Sequence, residues 1–198
     1  MKEFRSGRRR SSQPDRLDTL EMIKVAQQVS GADLNAAAAY YAATPRRARH
    51  KVVETDTVPA TRPSYFGWLD LVPGGKPEPI AGRIIEVPED AARLFLSDPH
   101  VMIIDYVPPG SVVRGEKLVR TGGLGGQACR SCHGADLKGS DAAPPLAGRS
   151  AAYLARMLWD IKTGARNGPT VAQMQAPVAK LNEAQITDIV AYLAARAP

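Results

Sequence analysis

The chain has 198 residues, 44% of them apolar and 23% charged, with a formal net charge of +6. That composition agrees with a globular protein of one or two small domains. No apolar run approaches the ~20 residues needed to cross a bilayer, so no membrane-spanning helix is expected.

Residues 1–10 carry Lys2, Arg5, Arg8, Arg9 and Arg10 against Glu3. Such a run suits an acidic partner or nucleic acid. No aromatic stacking platform accompanies it, so it reads as a solvated helix-to-loop segment and no nucleic-acid partner is expected. Residues 1–20 also lack the apolar stretch and small-residue cleavage site of an export signal. An alanine-rich amphipathic pattern then runs to Ala43.

From Thr44 to Gly115 prolines recur at positions 45, 59, 63, 73, 77, 79, 88, 99, 108 and 109, which forbids long helices. Two strand signals stand out, Arg83–Val87 and Val101–Val107, each closed by proline, with a brief helix expected across Asp90–Leu96. The cluster Tyr65-Phe66-Gly67-Trp68 is the kind that anchors a linker to a domain rather than binding a ligand. His50 and His100 stand alone, and neither is given a metal role.

Cys129-Arg130-Ser131-Cys132-His133 is the most informative stretch. In a CxxCH run two thiols add across haem vinyl groups, and the histidine beside the second offers a ring nitrogen to the iron. A zinc site would want two further ligands at short spacing. A redox dithiol would want a βαβ context, whereas these flanks are glycine-rich with no apolar strand ahead.

The iron needs a second axial ligand, and the search goes downstream. Met174 lies in Asn167–Pro177, a loop-like stretch between two helical patterns, where a thioether can reach an iron without distorting a helix. Met157 sits inside an apolar-periodic helix, Tyr153–Ile161, and reads as core; Met102 reads as strand packing. The last helix is expected from Asn182 to Ala195. Asn182 is its N-cap, Glu183 opens its first turn, and Ile186, Ile189, Val190 and Leu193 form its apolar stripe.

These residues together resemble a known family. Gly115-Glu116-Lys117-Leu118-Val119 followed by Cys129–His133 is similar to the first helix and haem-binding turn of a class I cytochrome c. Pro144-Pro145-Leu146-Ala147-Gly148 resembles the proline loop after it, and the Met174 loop and last helix complete the order. The resemblance is closest to bacterial periplasmic tandem-domain di-haem cytochromes, the c4 type. It implies that the Pro144 carbonyl accepts a hydrogen bond from the far nitrogen of His133, that Leu146 packs on the haem edge, and that Arg166 is a candidate for a haem propionate. It also implies that the last helix crosses the first around Leu118 and Val119.

An internal repeat supports the tandem character. Residues 22–43 fall on 174–195 without a gap, pairing Met22 with Met174 and Ala39-Tyr40 with Ala191-Tyr192. Upstream, Glu3–Arg9 mirrors Asp160–Arg166. On this reading Met22 is the axial methionine of a first haem whose CxxCH is missing. The expected explanation is an N-terminal truncation, with a start site further upstream that adds an export signal and a first CxxCH; the alternative is a first domain that has degenerated.

The expected fold class is mainly α. Residues 1–44 are the C-terminal half of a first cytochrome c domain, 45–113 a proline-rich linker with a small β-ribbon, and 114–198 a class I cytochrome c domain. The expected cofactor is one covalent haem c in this chain, and a second if the native protein is longer. The expected function is one-electron transfer in the periplasm between redox partner proteins, with a dehydrogenase or terminal oxidase among them. The alternatives are the cytochrome subunit of a periplasmic dehydrogenase and a haem sensor or peroxidase with a dissociable Met174. No hydrolytic constellation is present.

Overall fold

A computed structural model describes residues 1–64, 68–123, 126–141 and 143–198. In chain order the helices α1 (Lys2–Arg5), α2 (Leu17–Gln28) and α3 (Gly31–Ala43) come first. Ser30 caps α3 by accepting from the Asp33 N–H at 3.1 Å. The strands β1 (His50–Glu54), β2 (Thr57–Val58), β3 (Thr61–Pro63), β4 (Leu69–Leu71), β5 (Glu78–Pro79) and β6 (Ile85–Pro88) follow. Helix α4 (Ala91–Phe95), capped by Asp90, leads into β7 (Ile103–Val107). Then come α5 (Ser111–Thr121), α6 (Arg130–His133), α7 (Ala151–Lys162), a 3-10 turn at Pro169–Val171, α8 (Ala172–Ala179) and α9 (Glu183–Ala194). The expected Asn182 cap is part of a full capping box with Gln185. Of the aromatic cluster at 65–68, only Trp68 lies within the described residues.

The chain divides into two compact units, 1–47 with 156–179, and 48–155 with 180–198. In the first, the two repeat-related segments meet each other. Arg9 and Arg166 form an antiparallel bridge, flanked by the Arg10 N–H on the Ala165 carbonyl at 2.9 Å and the Asn167 N–H on the Arg8 carbonyl at 3.0 Å. Phe4 is buried beneath the Arg9 guanidinium, 4.6 Å from its ring centroid. The basic run is thus partly built into the fold rather than wholly solvated. Along α2 and α3 the apolar side chains Leu17, Leu20, Met22, Val25, Tyr40 and Tyr41 are exposed.

In the second unit, β6 and β7 pair antiparallel, as a ribbon should, but β1 joins β7 in parallel to make a three-stranded sheet ordered β1–β7–β6. Strand β1 escaped the sequence reading because His50-Lys51-Val52-Val53-Glu54 holds only two apolar residues between charges. Alternation puts Ile85, Val87, Ile104 and Tyr106 on one face, packed with Val58, Ile80 and Leu69. The sheet also contacts α9.

Helix α9 packs across α5 and approaches it very closely at Gly115. A Cβ added at Gly115 would lie 1.9 Å from the Asp188 carbonyl oxygen and 2.9 Å from the Tyr192 Cβ. Only a residue without a side chain lets the two backbones come this near. Arg114 clamps the crossing with two 2.9 Å hydrogen bonds to Asp188. With α5 and the sheet both against it, α9 is buried continuously from Ile186 to Ala194 instead of along one stripe.

Candidate functional site

The CxxCH turn hangs from the end of α5. Gly122, at φ +74°, caps that helix where a Cβ would lie 2.3 Å from the Gln127 backbone. The chain then returns so that the Cys129 N–H donates to the Val119 carbonyl at 3.0 Å. One helical turn follows, with the His133 N–H on the Cys129 carbonyl at 3.0 Å. Both cysteines are free thiols of intermediate exposure. Burial pushes the Cys129 thiol up from its ordinary value. Gln127 reaches the Cys132 sulfur at 3.6 Å.

His133 is buried, and its Nδ1 lies 2.7 Å from the Pro144 carbonyl oxygen. A carbonyl can only accept, so Nδ1 carries the proton and the lone pair is left on Nε2. The proline loop is held in place for this contact. The Gly139 N–H donates to the His133 carbonyl at 2.9 Å, and the Leu146 and Ala147 N–H groups share the Leu137 carbonyl at 2.8 and 3.1 Å. Leu137 is buried at φ +64°, and Leu146 is half-buried. Two thiols on one turn, beside an imidazole committed to a single tautomer, form the donor set that a covalent haem requires.

Met174, Arg166 and Met22 belong to the other unit. Met174 is half-buried on the first turn of α8, not in a loop. Pro169 starts a 3-10 turn whose direction the following helix continues, so the proline-flanked stretch is helical. Met157 is half-buried with the Arg9 and Arg166 guanidiniums 3.8 and 3.5 Å from its sulfur, so it packs against cations rather than in an apolar core. Met22 is 38% exposed on α2. Sequence reasoning missed Glu3, which holds the Thr170 hydroxyl, and Asp160, which takes the Ser12 N–H and hydroxyl, each at 2.9 Å. The repeat was the signal that could have found them, since the two carboxylates occupy matching places in it.

Residues 112–196 match the family model described as Cytochrome c. Cytochrome c4 of Stutzerimonas stutzeri is 33% identical over 136 residues, covering 60% of this chain and 63% of the relative. The thiosulfate dehydrogenase electron acceptor of Stutzerimonas stutzeri (strain A1501) is 39% identical over 85 residues, 41% of this chain and 38% of the relative. Among solved structures, the cytochrome c4 of Acidithiobacillus ferrooxidans matches with a TM-score of 0.58 over 98% of this chain and 78% of that one. Its identity is 18%, so the likeness is one of fold. The chain spans less than two thirds of the length of these curated relatives.

Proposed function

We propose that this chain carries single electrons through residues 112–196, the segment that matches the Cytochrome c family model, with Cys129, Cys132 and His133 holding one haem c and Met174 as its second iron ligand. When bound, the haem supplies reversible one-electron exchange at its iron. The observation that supports the reading is the His133–Pro144 hydrogen bond, which leaves the Nε2 lone pair available to a metal. The free thiols at Cys129 and Cys132 supply the covalent tether. His133 and Met174 together leave no coordination position for oxygen or a substrate, so the chain acts as a carrier rather than a catalyst. Leu146 lines the apolar side of the pocket, and Arg166 is the cationic residue for a propionate.

The proposed site of action is the periplasm, as the resemblance to periplasmic tandem-domain cytochromes implies. No helix among the described residues is long and apolar enough to cross a membrane. A second haem belongs to a longer chain with another CxxCH, in which Met22 on the exposed face of α2 is its ligand. Because one relative is named for accepting electrons from thiosulfate dehydrogenase, the favoured donor is a periplasmic dehydrogenase, as its free carrier or its attached subunit. Stopped-flow mixing of the oxidised protein with thiosulfate dehydrogenase and thiosulfate tests this: haem reduction within the enzyme's turnover time supports the reading, and none removes that donor.

A further inference from the structure

Three adjacent strands each place one metal-capable side chain on the face of the sheet opposite the apolar cluster. Asp105 of β7 stands directly across from Glu86 of β6, and His50 of β1 pairs with Ile103, two residues along and therefore on the same face. The His50 Nδ1 lies 2.9 Å from the Asp105 Oδ2. One nitrogen and one oxygen from each carboxylate lie within 4.8 Å of one another. Glu86 is anchored from behind, since its Oε1 accepts the Ser150 hydroxyl at 2.8 Å and the Ala152 N–H at 2.9 Å, which leaves its other oxygen for the cluster.

A purely structural network leaves a remainder here. Asp105 is fully buried, yet its Oδ1 has no hydrogen-bond donor among the described residues. Two carboxylates packed together away from water repel each other unless a proton or a cation lies between them. In the metal-free protein a proton shared with Glu86 can answer both features; a cation answers them by supplying a partner for Oδ1 and neutralising the pair without that proton.

We propose that His50, Glu86 and Asp105 form a site for a divalent transition-metal cation of the zinc class, with water completing a tetrahedron. Zinc bonds of 2.0–2.2 Å put tetrahedral donor atoms about 3.4 Å apart. The close His50–Asp105 pair opens slightly and the wider separations contract, which side-chain rotation achieves. On binding, the His50 proton moves from Nδ1 to Nε2, and the proton shared by the carboxylates leaves to solvent. The cation ties β1, β6 and β7 together, and through Glu86 it braces the start of α7.

The test uses the full-length haem-loaded protein, whose cysteines are consumed as thioethers, stripped with a chelator and titrated with zinc chloride by calorimetry. One equivalent is expected to bind and to raise the thermal midpoint. Glu86→Gln keeps the acceptor for Ser150 and Ala152 and can donate to Asp105, so it preserves the fold while removing a ligand. It is expected to weaken binding by more than about 100-fold, beyond the cost of losing an outer-shell partner. His50→Gln is expected to do the same, whereas His100→Ala, at an exposed position, leaves binding unchanged. No zinc bound at one equivalent, binding undiminished in Glu86→Gln and His50→Gln, or binding lost in His100→Ala would each overturn the proposal.

Discussion

Arg9 and Arg166 meet backbone to backbone, and around that bridge the chain makes the same contact twice. Glu3, six residues before Arg9, accepts from the Thr170 hydroxyl and N–H just after Arg166; Asp160, six before Arg166, accepts from the Ser12 hydroxyl and N–H just after Arg9. Two segments that resemble one another in sequence therefore cross as a reciprocal pair.

The reciprocity is not equal in weight. Asp160 is 5% exposed, whereas Glu3 is half-buried and its partner Thr170 exposed, the Thr170 hydrogen bond holding the carboxyl below its ordinary value. Asp160→Ala removes two hydrogen bonds and the side chain from a buried position, at a cost of about 1 kcal/mol or more. Glu3→Ala costs less than about 1 kcal/mol, as exposed contacts do. Urea unfolding of the two variants checks the order.

Gly115→Ala drives a methyl into the Asp188 carbonyl. Forcing extra volume into a packed crossing costs about 1–3 kcal/mol or more. The expected result is a fall in thermal midpoint for Gly115→Ala, the opposite of the gain of about 1 kcal/mol that a Gly→Ala change brings in an open helix.

The two methionines of the downstream region separate cleanly. Met174→Ala is expected to abolish the absorption band of an iron–methionine bond in the oxidised protein and to lower the potential, while Met157→Ala leaves both intact. Visible spectra of the oxidised variants decide it, and loss of the band in Met157→Ala alone would reverse the assignment.

Burial, with the neighbouring Asp105 second, raises Glu86 from 4.5 to about 7. A carboxyl that binds its proton more tightly in the folded state stabilises the fold below pH 4.5. That contribution is lost as pH rises through about 7. In chelator-treated protein, the stability difference between wild type and Glu86→Gln should shift against wild type across this window by on the order of 3 kcal/mol. A difference flat with pH would place Glu86 in solvent.

Much of this was legible because it rests on local chemistry. The CxxCH turn, the Asn182 cap and the strands closed by Pro88 and Pro108 are each set by a few neighbouring residues. Two things were not. Strand β1 forms because a parallel partner, β7, accepts it, and its own alternation is too weak to announce that. The pairing of His50 with Asp105 spans 55 positions, and neither residue looks unusual alone. A hint was present in Ile85-Glu86-Val87 and Ile104-Asp105-Tyr106, where a carboxylate interrupts an apolar run at the same register. Met174 read as a loop residue because prolines flank it, yet Pro169 begins a helical turn instead of preventing one.

The intact mass of the denatured protein reports the covalent haem on Cys129, Cys132 and His133. Expressed with periplasmic export and haem-attachment machinery, the chain is predicted to carry the mass of one haem through acid denaturation, and Cys129→Ala with Cys132→Ala to carry none. A wild-type mass equal to the bare polypeptide, or a haem that washes away on denaturation, would contradict the account.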